Sequence, residues 1–257
     1  MSTRDTAWPA GTPCRADLAS PDVGAARDFY GAVLGWSFTE SGEEYGGYLM
    51  ADVAGSSVAG IGPQQDGSPN AWTLYLASDD ADATAAAVTP AGGSVVVPPM
   101  DVGDLGRMII AADPSGGAFG VWQARRHIGA QRVNEPGALT WEDLRSTDPD
   151  AARAFYAGVF GFREEAADGA PDDYRMFALP GGDPLGGIGG MTDGAEGLPS
   201  HWLVYFGVPD ADSAVAVAES HGGRALAPAV DTPYGRMAAL SDPTGAVLWV
   251  VGVPAAA

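Results

Sequence analysis

The sequence predicts an α+β protein built as two tandem copies of one module, each copy a pair of βαβββ half-modules. Three observations predict it. A repeat runs through nearly the whole chain, the first helix of each copy carries the same stop signal, and matching Asp-Pro turns close each copy.

The repeat comes first because it decides the fold. Asp17-Leu18-Ala19-Ser20-Pro21-Asp22, Arg27-Asp28-Phe29-Tyr30 and Leu34-Gly35-Trp36 return as Asp143-Leu144-Arg145-Ser146-Thr147-Asp148, Arg153-Ala154-Phe155-Tyr156 and Phe160-Gly161-Phe162, at an offset of 126 (143 − 17). Trp72-Thr73-Leu74-Tyr75 and Gly92-Gly93 return as Trp202-Leu203-Val204-Tyr205 and Gly222-Gly223, at 130 (202 − 72). Gly106-Arg107-Met108 and Asp113-Pro114 return as Gly235-Arg236-Met237 and Asp242-Pro243, at 129 (235 − 106). Such drifts mark loops of different length between matched elements. The join falls in the polar, locally basic stretch 125–137, as linkers often do, which divides the chain into domains 1–127 and 128–257. His127 reads as a linker residue.

Each copy then reads element by element. Pro13–Ala19 and Ala138–Arg145 read as short strands. Ser20 with Pro21, and Asp148 with Pro149, read as helix caps followed by proline at the first helical position. Ala26, Phe29, Tyr30 and Val33 share one helical face, as do Ala152, Phe155, Tyr156 and Val159, so the Phe-Tyr pair reads as core. Gly35 and Gly161 supply the left-handed residue that ends each helix. Short strands follow near 36–39, 48–53 and 58–61, and near 162–164, 175–179 and 186–188. Trp72–Ala77 and Trp202–Val208 open the second half of each copy. Alanine-rich helices follow over about 80–89 and 210–220. Asp113-Pro114-Ser115-Gly116 and Asp242-Pro243-Thr244-Gly245 are type I turns joining the closing strands.

Composition bounds the function. The chain has 257 residues, 46% hydrophobic and 18% charged, which suits a globular core. No apolar run approaches about 18 residues, so no membrane helix is predicted. Met1–Pro13 lacks an apolar segment and does not read as a secretory signal; residues 1–10 read as a frayed tail. A net charge of −20 disfavours nucleic acid and anionic membranes as partners. Cys14 is the single cysteine, so no intrachain disulfide is possible, which fits a reducing cytoplasm.

Taken together, the strand, the Asp, the helix with Phe-Tyr, the Leu-Gly-Trp or Phe-Gly-Phe stop and the Gly-Arg-Met with Asp-Pro-x-Gly hairpin resemble a vicinal oxygen chelate domain. The resemblance is to the superfamily of glyoxalases, bleomycin-resistance proteins and extradiol dioxygenases, and within it to the tandem, two-domain actinobacterial subgroup labelled hydroxylase or glyoxalase-like. It covers roughly residues 12–124 and 138–252. It implies a mixed sheet curled around a cleft in each module, where metal-dependent members hold one divalent ion on His, Gln and Glu side chains. Carried over position by position, those ligands are missing. The first-strand position holds Arg15 and Trp141, and the last-strand carboxylate position holds Gly120 and Trp249. Residues 58–63 and 185–191 contain no Asp, Glu or His. No cofactor is therefore expected.

Strand parity puts Asp17, Asp143 and Arg145 on the face of Arg15 and Trp141, with Trp122 and Trp249 on the closing strands and Tyr75 and Tyr205 along the same clefts. Such walls suit a flat, partly polar ligand held by stacking. His201, at a strand start, is a candidate polar contact. Arg107 and Arg236 each follow a glycine and could clamp a carboxylate or phosphate, or pair with a nearby Asp. Two functions stay open. One is a metal-free protein that binds an aromatic or partly polar metabolite or antibiotic. The other is an enzyme of glyoxalase, lyase or dioxygenase type, using an unusual metal site or Asp17, Asp143 or His201 as general base. The expected partner is a small molecule, and the chain is expected to be a monomer or a homodimer.

Overall fold

The computed structural model describes residues 3–42, 45–192 and 197–254. The first copy runs β1 (Pro13–Ser20), α1 (Val23–Leu34), β2 (Ser37–Glu40), β3 (Leu49–Val53), β4 (Ser56–Pro63), β5 (Ala71–Ala77), α2 (Ala81–Val88), β6 (Ser94–Val102), β7 (Gly106–Ala112) and β8 (Ala118–Ala124). The second runs β9 (Leu139–Ser146), α3 (Pro149–Phe160), β10 (Arg163–Ala166), β11 (Arg175–Ala178), β12 (Pro184–Gly190), β13 (His201–Val208), α4 (Ala211–Ser220), β14 (Arg224–Ala225), β15 (Val230–Thr232), β16 (Gly235–Ser241) and β17 (Val247–Gly252).

Each copy makes one mixed sheet, in the orders β2-β3-β4-β1-β5-β8-β7-β6 and β10-β11-β12-β9-β13-β17-β16-β14, with β15 paired to β16. In each, an antiparallel central pair (β1 with β5, β9 with β13) is flanked by parallel partners (β4 and β8, β12 and β17). The two halves of every sheet are thus related by the strand order itself, as the paired half-modules predicted.

The helices start and stop for local reasons. Asp22, Asp80, Asp148 and Asp210 cap α1, α2, α3 and α4, each side chain accepting from a backbone N–H three residues on at 2.7–3.0 Å. The first of these corrects the Ser20 assignment: α1 begins at Val23, because Asp22 reaches the open amide of Ala25 while the Ser20 hydroxyl bonds to the backbone of Asp22. Gly35 (φ 70°) and Gly161 (φ 73°) take the left-handed conformation that ends α1 and α3.

The apolar faces do not stay within their own copies. Phe29, Tyr30 and Trp36 share a core with Phe206, Leu240 and Val250, while Phe155, Tyr156 and Phe162 share another with Leu74, Phe119 and Val121. Trp36 lies 5.2 Å from Phe206 and Phe119 lies 5.8 Å from Phe155, ring centre to ring centre. The helix-bearing faces of the sheets therefore meet, and the opposite faces are left to form clefts.

Residues 3–10, within the stretch 1–10 read as a frayed tail, are held in place together with the turn that follows them. Trp8 donates its indole N–H to the Ala130 carbonyl at 2.9 Å, the Arg4 amide donates to Gln131 at 2.9 Å, and the Gly11 amide donates to Ala77 at 2.8 Å. A half-buried indole still favours an acceptor for its N–H, and the linker backbone supplies it. No helix among the described residues is long and apolar enough to cross a membrane.

Candidate ligand-binding clefts

Alternation decides which side chains face each cleft. On β1, Ala16 and Leu18 enter the shared core, so Arg15 and Asp17 point the other way. On β9, Leu144 enters the core, so Trp141, Asp143 and Arg145 point the other way. Tyr48 and Tyr174 then arrive from loops and lie flat on glycines. A Cβ at Gly60 would overlap the Tyr48 hydroxyl, and a Cβ at Gly187 would overlap that of Tyr174. The glycines of β4 and β12 thus make room for a ring on the sheet surface.

In the first cleft the predicted residues Arg15, Asp17, Tyr75 and Trp122 come together and fill the space. Arg15 is 9% exposed. Its Nε donates to Asp17 at 2.9 Å, its Nη2 pairs with the other Asp17 oxygen, and Nη2 also donates to Tyr48 at 2.9 Å. The guanidinium lies 4.5 Å from the Trp122 ring and 5.0 Å from the Tyr75 ring, within cation–π range. The linker closes this end. Trp122 donates its indole N–H to the His127 carbonyl at 2.8 Å, and the two rings are 5.6 Å apart. His127 is thus part of the wall of the first cleft rather than only a connector. Burial, then the nearby Arg15 charge, push its imidazole down to about 4, so it is neutral at pH 7.

The second cleft gathers Trp141, Asp143, Tyr205 and Trp249 around one carboxylate. Asp143 is 4% exposed and accepts four bonds. Trp141 Nε1 and Tyr174 Oη each donate to Oδ1 at 2.9 Å, while Tyr205 Oη and Arg145 Nη2 each donate to Oδ2 at 2.9 Å. Burial, then repulsion from Asp143, hold the Tyr174 and Tyr205 phenols well above the usual range, so they remain donors. Trp249 stacks on Tyr205 at 5.4 Å and 29°. Trp141, Tyr174 and Trp249 are each only partly buried, so ring faces remain open here, whereas Trp122 in the first cleft is 2% exposed.

Three predicted residues stand apart. Arg107 and Arg236 do not face the clefts. Ile109 and Ala111 on β7, and Ala238 and Leu240 on β16, enter the shared cores, so the arginines at the same parity point to the helix side. There Arg107 pairs with Asp82 and Asp101, and Arg236 with Asp212 and Asp231, at 2.7–3.1 Å. His201 is on the cleft side at its end, half-buried and opposite Arg145 in register, with Nδ1 2.8 Å from the Pro199 carbonyl. Tyr48 and Tyr174 were missed, although they repeat at the offset of 126 (174 − 48) and precede glycine pairs on the next strand.

A divalent metal does not fit either constellation. In the first, a fixed guanidinium charge occupies the space. In the second, each oxygen of Asp143 already accepts two donors, and around it stand an indole, a guanidinium and two protonated phenols, with no imidazole or second carboxylate among the described residues to complete a ligand set. Among the described residues, no three of His, Cys, Asp or Glu converge where they could hold a metal ion.

With this geometry established, the comparisons are specific. The family model of the Glyoxalase/Bleomycin resistance protein/Dioxygenase superfamily matches residues 14–121 and again 137–250. Mycobacterium tuberculosis CFP32, a glyoxylase by name, is 43% identical over 249 residues, covering 94% of each chain. The anthracycline biosynthesis protein DnrV of Streptomyces peucetius is 38% identical, covering 98% of each. Among solved structures, the Mn(II)-bound glyoxalase of Novosphingobium aromaticivorans superposes with a TM-score of 0.64 at 17% identity, over 94% of this chain and 81% of that one. The 2,3-dioxygenase LapB of Pseudomonas sp. KL28 gives 0.62 at 14% identity, over 94% and 93%. These two likenesses speak to the fold alone.

Proposed function

Because this chain belongs to the Glyoxalase/Bleomycin resistance protein/Dioxygenase superfamily, and because its second cleft is walled by oriented aromatic rings, we propose that it binds a flat, partly polar aromatic molecule there without a metal ion. One observation carries the reading. Asp143 fixes Trp141, Tyr174 and Tyr205 through hydrogen bonds, and Trp249 stacks on the last of them, so the aromatic wall is ordered before a ligand arrives. Preorganised rings stack on a flat ligand with little further loss of freedom. The first cleft serves as a scaffold, filled by its own Arg15. DnrV, an anthracycline biosynthesis protein by name, supports an aromatic ligand for a chain so similar along its whole length.

Titration of tryptophan fluorescence against a panel of fused-ring aromatics tests the proposal. The expected result is saturable quenching that Trp249→Ala weakens and Trp122→Phe does not. No saturable binding by any member, or equal loss in both variants, overturns it.

A second reading is favoured by the name of CFP32: a glyoxalase-type enzyme acting on a small carbonyl compound. Metal analysis of protein purified without chelator, with a methylglyoxal and glutathione assay, tests it. A stoichiometric bound metal together with turnover would replace the binding reading.

A further inference from the structure

We infer that the second cleft recognises a neutral carbonyl oxygen on its aromatic ligand, and that Arg145 is the residue that does so. This rests on the aromatic-ligand reading above and specifies the ligand class.

Asp143 does not need Arg145 to be satisfied. Trp141, Tyr174 and Tyr205 already bring it three donors, spread over both oxygens. Arg145 adds a fourth through Nη2, and its Nε is buried with no hydrogen-bond partner among the described residues. A buried N–H without an acceptor is destabilising, and native structures keep few of them, so one just beneath the open aromatic wall calls for a reason. The Arg145 side chain is 16% exposed and its guanidinium lies 5.6 Å from the Tyr174 ring, at the level of the open aromatic wall.

The first copy shows the contrast. Its counterpart of Arg145 is Ala19 (145 − 126), and its arginine, Arg15, sits on the other side of the acid along the strand. There Nε and Nη2 both bond within the protein, and the cation is covered by Trp122 and Tyr75. The arginine of the closed cleft uses its donors internally; the arginine of the open one keeps a donor spare.

Charge decides the class of acceptor. A ligand carboxylate at Arg145 would sit beside Asp143, on a chain of net charge −20. Like charges at that distance repel, and Asp143 already offsets the guanidinium. A ketone or quinone oxygen accepts from the same N–H groups and brings no charge.

Three naphthalenes that share one ring system and differ in one substituent test this by calorimetry: 2-acetylnaphthalene, 2-ethylnaphthalene and 2-naphthoate. The expected order has the ketone binding about tenfold or more tighter than the hydrocarbon, with the carboxylate weakest. Arg145→Met should bring the ratio of ketone to hydrocarbon affinity down to about one, whatever the change in overall affinity. In the wild-type protein, the Arg145 Nε–H resonance should shift with the ketone and not with the hydrocarbon, a readout that needs no variant. Equal binding of ketone and hydrocarbon, tightest binding of the naphthoate, or an Arg145→Met variant that still discriminates overturns this inference alone. Binding of none of the three overturns it together with the aromatic-ligand reading.

Discussion

The hydroxyl of Tyr156, on the first helix of the second copy, donates to Asp113 in the closing turn of the first copy at 3.2 Å. The reciprocal bond, Tyr30 to Asp242, has the same length. Each Asp uses one oxygen to organise its own turn, where Asp113 accepts from the amides of Ser115 and Gly117, and lends the other to the partner copy. Trp202 completes the chain by donating its indole N–H to Tyr156 at 3.0 Å. Tyr156→Phe removes the middle of this relay and leaves a buried indole N–H without an acceptor. It should lower stability by about 1–3 kcal/mol, read as a lower urea midpoint at an unchanged slope.

Arg15 and Asp17 predict a non-additive pair. Arg15→Met leaves the Asp17 carboxylate largely buried without its counter-charge and should cost about 3–5 kcal/mol. Adding Asp17→Asn should recover much of that loss, because the stranded charge is then gone. Equilibrium unfolding of the two singles and the double measures the coupling, and purely additive losses would refute the argument.

Glu142 predicts a pH dependence. It alternates with Asp143 on β9, points to the side between the sheets and is 6% exposed. Burial, then the Asp143 charge, push its carboxyl up to about 8, against an ordinary value of 4.5. Below 4.5 both folded and unfolded chains hold the proton. Between 4.5 and about 8 the unfolded chain has released it while the folded chain keeps it, so this residue's contribution to stability falls as pH rises through that window. Glu142→Gln cannot ionise. It should match the wild type at pH 4 and exceed it at pH 8 by an amount on the order of 2–4 kcal/mol, followed as unfolding midpoints across pH.

Gly187→Ala tests how the open cleft is built. Its Cβ would overlap the Tyr174 hydroxyl, so the ring must leave the sheet and give up its bond to Asp143. Ligand affinity should fall, and stability should fall by about 1–3 kcal/mol. Gly158→Ala on α3, where a Cβ meets nothing within 4 Å, is the control and should raise stability by about 0.5–1 kcal/mol. Calorimetric titration and thermal unfolding of both variants check the pair.

Much of this architecture could be read from the sequence because the repeat fixes it. Phe29-Tyr30 and Phe155-Tyr156 mark equivalent helices, and strand parity places Arg15, Asp17, Tyr75, Trp122, Trp141, Asp143, Tyr205 and Trp249 on cleft faces. For Arg107 and Arg236 the sequence left two readings, an anion clamp or a pair with a nearby Asp, and the structure shows the pairs. Tyr48 and Tyr174 were hidden because they fall just before the strands, where alternation assigns no face; their repeat at an offset of 126 and the glycines beneath them are the signals that mark the rings. The closure of the first cleft was hidden more deeply. A polar linker and an unpatterned N-terminal segment gave no sign that Trp122 and Trp8 would find their acceptors in the backbone at His127 and Ala130.

The exchanged aromatic cores carry a consequence for how such a protein diversifies. A lone half would expose the greasy side of its helices and could persist only by pairing with a twin, so any change to one binding face would be copied into both. Joining the halves in one polypeptide breaks that constraint. One face can then be given over to rigidity and the other to recognition, while the whole remains a single cooperative body.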